Sequence, residues 1–243
     1  MIPSKKPNFC LTSDTDWASD YAINDFIELV SSYGIKPTIF ATHKSTALID
    51  CLKRGAVEVG IHPNFLPAST QGSDVQSIIR NVTDAFPNAK SFRCHKFFNN
   101  TEIEQEMVKN KFAYDSNLCL YFQQDIVPIR RVSGLIGFPV FWEDDVHWMN
   151  NGKWELGAYS DLFLSQGLKI LNFHPFFVCA NIPDKEYYER VKPHIATVSE
   201  STIHQIYYKG KGVKTFLIEL LDFLKSRAEL FCTLDELYKN YFR

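Results

Sequence analysis

Three features are missing from this sequence, and each absence argues against a class of protein. No apolar run approaches the roughly 18 residues that a membrane-spanning helix needs, so we expect no membrane span. No positive charge surplus exists, because the formal net charge is −2 over 243 residues, and this argues against a nucleic-acid-binding protein. The N-terminal residues lack the apolar segment of a signal peptide, so we do not expect export.

The cysteines also lack the spacing of a metal or redox motif. Six cysteines are scattered along the chain, and no two of them form a C-x-x-C pair. An even number of cysteines predicts disulfides only in a secreted protein. We therefore expect reduced, mostly buried thiols and a cytoplasmic protein.

Short apolar runs alternate with segments of helical periodicity through the first half of the chain. The predicted strands are NFCLTSD, KPTIFAT, AVEVGIH, KSFRCH and AYDSNLCL, with LKILNFHPFF further on. Alternation of this kind indicates βαβ units, and therefore an α/β fold with a parallel sheet or barrel. We expect helix caps at Ser73 and at Thr101, where Glu104 would complete a capping box. No linker or internal repeat interrupts the pattern, so residues 1–243 are predicted to form a single domain.

Polar residues recur where the predicted strands end. A lone histidine or aspartate at such a place is more often a structural hydrogen-bonding group, and a run such as Glu143–Asp145 is more often a solvated turn. Recurrence changes this interpretation, because the carboxyl ends of strands carry the chemistry in α/β barrels. Carboxylate and imidazole groups are ligands of zinc and similar metals. The residues concerned are Asp14, Asp16, His62, Arg93, His95, Asp115, Glu143, Asp144, Asp145, His147 and His174.

The order of these residues resembles the polysaccharide deacetylase family, which has the NodB-homology fold and includes carbohydrate esterase family four. The similar segments are LTSDTDW, GIHPNF, RCHKFF, FWEDDVHW and LNFH, and they extend from about residue 8 to about residue 178. The resemblance implies a single irregular (β/α) barrel of about seven strands. It also implies that Asp14 is the catalytic base, that Asp16 and His62 bind the metal, that Arg93 holds the base, and that His174 is the catalytic acid.

One position departs from the family pattern. The second motif of the family usually carries another histidine four residues after the first, but Leu66 stands there in this chain. His95 is the first candidate for the third ligand, because it lies two residues beyond Arg93 in a loop that borders the site. His147 is the second candidate, and a site with no third protein ligand is the remaining alternative.

The other site residues are less closely defined by the motifs. Either Asp144 or Asp145 could keep His174 protonated, and Asp144 is included among the expected catalytic residues. Trp142, Trp148 and Phe98 are candidates for stacking on a sugar ring, although core packing is the expected fate of at least one of them.

Together these motifs look most similar to the WbmS-like branch of the family, which is associated with bacterial surface polysaccharides. The resemblance implies a zinc-dependent deacetylase that removes an N-acyl group, most simply acetyl, from an amino sugar during O-antigen or capsule synthesis. Removal of a formyl group or another C–N hydrolysis on the same fold is one alternative. A catalytically silent carbohydrate-binding domain is another, although such a domain needs neither Asp14 as base nor His174 as acid. The sequence does not identify the sugar or its carrier.

Overall fold

The structure is a computed structural model that describes residues 8–242. Nine strands occur in this part of the chain: β1 (Asn8–Asp14), β2 (Thr38–Ala41), β3 (Glu58–Ile61), β4 (Ser91–Phe92), β5 (Tyr114–Asp115), β6 (Ile129–Arg130), β7 (Ile136–Gly137), β8 (Val140–Glu143) and β9 (Leu168–Asn172). The same residues contain these α-helices: α1 (Asp20–Ser31), α2 (Thr46–Lys53), α3 (Val75–Ala85), α4 (Thr101–Lys109), α5 (Asp144–Met149), α6 (Ser160–Leu164), α7 (Pro175–Ala180), α8 (Lys185–Val191), α9 (Val213–Leu224) and α10 (Leu234–Phe242).

All nine strands belong to one sheet, in the order β6-β7-β5-β4-β3-β2-β1-β9-β8. Every neighbouring pair is parallel except β6 and β7. The segment that follows β5 also pairs with β8, since Val140 N donates to Leu118 O at 2.7 Å and Leu120 N donates to Val140 O at 2.8 Å. This pairing curls the sheet into a half-barrel. The predicted α/β class is confirmed, but the expected number of about seven strands is wrong.

The two longest strands of the sheet, β1 and β9, are paired, and their apolar side chains make much of the core. All five residues of β9 are buried. Helix α1 packs its apolar face on this layer, and its buried residues recur at helical spacing: Ala22, Ile23, Phe26, Ile27 and Val30. The predicted caps of two helices are each wrong by one residue, because Asp74 caps α3 and Asn100 caps α4 through their side chains.

The C-terminal helix α10 covers the amino ends of the central strands. Leu234 N donates to Thr38 Oγ1 at 3.0 Å, and Asp235 N donates to Glu58 Oε2 at 2.9 Å. At the opposite end, the carboxyl ends of the strands, lie most of the polar residues singled out above, including Asp14, His62, Arg93 and His174.

The chain from residue 8 to residue 242 contains no helix that is both long and apolar enough to cross a membrane. Residues 1–7 lie outside the described part. They belong to the N-terminal stretch in which no signal peptide is expected.

Candidate active site

Asp14, the last residue of β1, is held by side chains from two other strand ends. Arg93 follows β4, and its Nη1 donates to Asp14 Oδ1 at 2.9 Å. Asn172 ends β9, and its Nδ2 donates to Asp14 Oδ2 at 3.0 Å. Both carboxylate oxygens of Asp14 are therefore oriented by buried donors.

Arg93 is fully buried, and its guanidinium group is fixed on all sides. Besides Asp14 it donates to the side chains of Thr12 and Asn172 and to both the backbone oxygen and the hydroxyl of Ser116. The ring of Phe40 lies 4.5 Å from its central carbon. A planar group with this many fixed donors can hold a carboxylate in one orientation.

A second cluster lies in the same opening of the sheet, at the carboxyl ends of its strands, which we call the mouth. Its members are Asp16, His62 and His95. His62 Nε2 lies 3.2 Å from Asp16 Oδ1, and His95 Nδ1 lies 3.1 Å from the same oxygen. His62 directly follows β3, whereas His95 begins a short 3₁₀ turn, His95–Phe97, two residues after Arg93. Burial alone would raise the pKa of Asp16, but hydrogen bonds from His62 and His95, together with the charges of His62 and His174, lower that pKa well below its usual value.

The loops that carry these groups have unusual backbone angles. Asp16 and Trp17 have positive φ values of 41° and 58°, and Lys96 and Phe97 have values of 55° and 54°. Residues other than glycine rarely adopt such angles, and they persist where surrounding structure enforces them, often at functional sites.

The donor set of Asp16, His62 and His95 fits a divalent metal. Two imidazoles and one carboxylate are the ligands of many zinc sites with an open position. Neighbouring ligands of a tetrahedral zinc with bonds of about 2.0–2.1 Å are about 3.3 Å apart, close to the two separations measured here. The second ring nitrogen of His62, Nδ1, is buried and has no hydrogen-bond partner within the described residues; it lies 3.8 Å from Asp14 Oδ1.

His174 lies on the other side of Asp16, two residues beyond β9. Its Nδ1 is 2.6 Å from Asp144 Oδ1, and its backbone N donates to Asp144 Oδ2 at 2.8 Å. Burial by itself would lower the pKa of His174, but Asp144, with smaller contributions from Asp16 and Asp145, raises that pKa well above its usual value. Its Nε2 faces the mouth, 3.6 Å from Asp16 Oδ2. In this geometry Asp144, and not Asp145, is the direct partner of His174.

The loop after His62 explains why position 66 carries no ligand. The backbone from 62 to 72 is not helical, so a residue four positions on does not return to the same face. Instead Asn64 Oδ1 accepts a hydrogen bond from Leu66 N at 3.0 Å, and Asn64 N donates to the Gln71 side chain. Leu66 lines an apolar groove of about 660 Å³ together with Phe65 and Phe98.

The alternative ligand His147 lies in the core and away from the mouth. Its Nδ1 accepts hydrogen bonds from Tyr121 Oη at 2.8 Å and Trp142 Nε1 at 3.1 Å, while its Nε2 is 3.0 Å from Lys153 O. Burial lowers the pKa of its imidazole. Both ring nitrogens are thus engaged: Nδ1 ties α5 to Trp142 of β8, and Nε2 bonds the loop that follows α5.

The three aromatic candidates have different positions. Trp142 is fully buried between the sheet and α9, where it packs on Phe173 and stacks on Phe216, so its prediction as a sugar platform is wrong. Trp148 is partly buried and packs on Phe177, whose ring in turn contacts His174. Phe98 is exposed at the rim, just after the turn that carries His95.

Three further residues at the mouth were not assigned roles by the motifs. Asn172 precedes His174 by two positions in the segment LNFH, which could have identified it. Glu143 was treated only as part of an acidic run, but it is buried at the end of β8. Tyr188 on α8 packs on Phe177, and burial together with the charges of Asp16 and Asp145 raises the pKa of its hydroxyl. No local sequence signal distinguishes Tyr188 from the other tyrosines.

Comparison with known proteins assigns this chain to a family. The family model "WbmS-like: Polysaccharide deacetylase" matches residues 11–192. This chain therefore belongs to the polysaccharide deacetylases, in the WbmS-like family.

A crystal structure from Bordetella bronchiseptica, described as a polysaccharide deacetylase involved in O-antigen biosynthesis, shares 29% identity with this chain. The match covers 88% of this chain and 89% of that one, with a TM-score of 0.79.

More distant structures share the fold alone. A polysaccharide deacetylase structure from Mycobacterium smegmatis has 14% identity and a TM-score of 0.54, with 94% of this chain and 91% of that chain covered. The 4-alpha-glucanotransferase of Thermococcus litoralis reaches the same TM-score at 9% identity, over 97% of this chain and 38% of that chain. The same topology thus occurs in an enzyme described as a glucanotransferase. The fold alone therefore does not define the activity of this chain, which has to be argued from its site. A search of curated proteins returned no significant match.

Proposed function

We propose that this protein is a metal-dependent hydrolase that removes an N-acyl group, most simply acetyl, from an amino sugar used in bacterial surface-polysaccharide synthesis. Family membership supports a carbohydrate substrate, and the relative from Bordetella bronchiseptica is described as acting in O-antigen biosynthesis. The free cysteines are consistent with a reducing compartment, so we place the reaction in the cytoplasm.

The observation that carries the proposal is the placement of an acid and a base around one donor cluster. His62, a member of the cluster, lies 3.8 Å from Asp14, and Asp16 lies 3.6 Å from His174. A purely carbohydrate-binding surface needs neither a carboxylate oriented by a buried arginine nor a histidine paired with a buried aspartate.

The metal ligands in this proposal are Asp16, His62 and His95. Zinc bound there would polarise the acyl oxygen and lower the pKa of a nearby water. Two imidazoles and one carboxylate leave a coordination position open, which is the arrangement of catalytic rather than structural zinc sites.

The chain's own residues supply the proton transfers. Asp14, which Arg93 and Asn172 hold in place, takes a proton from the attacking water. His174 donates the proton on Nε2 to the nitrogen of the departing amine, which is a poor leaving group as an anion. Asp144 accepts the hydrogen bond from Nδ1 and so keeps Nε2 directed at the mouth.

Loading with zinc and assay against N-acetylated sugars test this function directly. We expect the zinc-loaded protein to release equal amounts of acetate and free amine from at least one of three compounds. These are N-acetylglucosamine, the tetramer of this sugar obtained from chitin, and UDP-N-acetylglucosamine. A chelator should abolish the release and added zinc should restore it. N-formyl analogues measured in parallel would identify a deformylase. A protein that binds one equivalent of zinc and hydrolyses none of these compounds would contradict the proposal.

The pH dependence should change when Asp144 is replaced. In the Asp144→Asn variant the carboxylate that raises the pKa of His174 is gone, so His174 loses its proton at a lower pH. Because the acid must be protonated to act, the alkaline limb of the kcat/KM profile should move to lower pH. Profiles of the wild-type and variant proteins check this, and an unmoved alkaline limb would show that His174 is not the acid.

A further inference from the structure

Glu143 is a buried carboxyl group at the active-site mouth that the proposed mechanism does not use. It ends β8, and its register partner in β9 is Asn172, so both side chains lie on the same face of the sheet. Its exposed fraction is 4%, and its Oε2 has no hydrogen-bond partner within the described residues. A buried polar atom without a partner is costly, and in a native protein it requires an explanation.

The position of Glu143 supplies that explanation. One ligand atom each of Asp14, Glu143 and His174 lies within 4.8 Å of the other two. An atom placed centrally among three such groups would be at most about 2.8 Å from each, which is hydrogen-bonding distance. This point lies among the proposed base, the proposed acid and Glu143. The proposed mechanism places the scissile amide there, because His174 must reach its nitrogen.

We propose that Glu143 binds the substrate directly, accepting a hydrogen bond from the nitrogen of the scissile amide between Asp14 and His174. This inference rests on the proposed deacylase function and adds a substrate contact to it. As His174 protonates that nitrogen, its N–H groups become stronger donors, so the contact strengthens towards the transition state.

The surroundings of Glu143 favour its protonated, uncharged form, which can still accept a hydrogen bond. Burial, followed by the neighbouring charge of Asp145, raises the pKa of Glu143 well above its usual value. A carboxyl group that keeps its proton still has a carbonyl oxygen, which can accept a hydrogen bond from the substrate.

Two substitutions separate this role from its alternatives. Glu143→Gln keeps the acceptor oxygen and, like the protonated acid, carries no charge, so kcat/KM should stay within about threefold of wild type. Glu143→Met keeps the approximate volume without polar atoms, and it should lower kcat/KM by about tenfold or more, mainly through kcat. Equal losses in both variants would show that Glu143 acts as an ionised group, and no loss in Glu143→Met would show that it makes no substrate contact. Either result would overturn the inference.

Two measurements that need no turnover complete the experiment. Because Glu143→Met removes an unpartnered buried oxygen, its Tm should equal or exceed that of wild type, whereas a residue with only a structural role would lower it. Calorimetric titration with glucosamine should show weaker binding to Glu143→Met than to wild type and Glu143→Gln. If the wild type hydrolyses no sugar but this binding pattern holds, the deacylase function fails and the Glu143 contact stands. A lower Tm together with unchanged binding refutes the contact itself.

Discussion

The Asp14→Asn variant should lose deacylation by at least roughly 100-fold, the usual scale for loss of a general base. The amide has nearly the shape of the carboxylate and can still accept from Arg93 Nη1, but it cannot take a proton from water. Its new amino group would face the Nδ2 donor of Asn172, so we also expect a modest fall in Tm. Turnover, bound zinc and thermal unfolding should be measured on the same preparation.

The matched control for this prediction is the neighbouring carboxylate in the same D-x-D segment. Asp16→Asn should weaken zinc binding, because Asp16 Oδ1 is the atom on which His62 and His95 converge. Zinc content should therefore remain near one equivalent in Asp14→Asn and fall in Asp16→Asn. The reverse pattern would mean that the two aspartates have exchanged roles.

The predictable parts of the fold are those with several residues in one periodic pattern. Strands β1 and β9 are long apolar runs, and their prediction needed no tertiary information. Strands β6 and β7 have two residues each, and backbone pairing alone defines their bounds. The expected number of about seven strands came from the family resemblance, and short strands of this kind raise the number in this chain to nine.

Trp142 was assigned to the wrong face of strand β8. It was one of three aromatic candidates for stacking on a sugar ring, of which at least one was expected to pack in the core. Successive side chains in a strand point to opposite faces, so a mouth-facing Glu143 places Trp142 against α9. Alternation along the strand would have excluded this residue without a structure.

The site was more accessible to sequence reasoning than the strand count, because its residues follow strands whose carboxyl ends share one edge. Asp14, His62, Arg93 and His174 could be placed at one mouth from that fact and the family motifs. Tyr188 could not, since its contacts come from α8 packing against distant segments. The choice between Asp144 and Asp145 also depended on the geometry of α5, whose start after β8 brings only the first of them to Nδ1 of His174.

The strongest test of the metal centre concerns His95, which stands in place of the histidine missing at position 66. His95→Ala should lose both bound zinc and activity, because two protein ligands are too few for a dedicated zinc site. The argument rests on the 3.1 Å approach of its Nδ1 to Asp16 Oδ1 and on the strained turn at Lys96 and Phe97 that fixes this position. Zinc content after dialysis, measured by atomic absorption, gives the first readout, and acetate release gives the second.

Two other histidines provide the controls for that experiment. His204 is exposed on a distant 3₁₀ turn, so His204→Ala should leave zinc, activity and Tm unchanged. His147→Ala should retain zinc but lower Tm, since it leaves the Tyr121 hydroxyl and the Trp142 indole without their buried acceptor. Full zinc occupancy in His95→Ala would refute its role as a ligand. The metal would then be held by Asp16 and His62 with solvent, because both nitrogens of His147 are already engaged in the core.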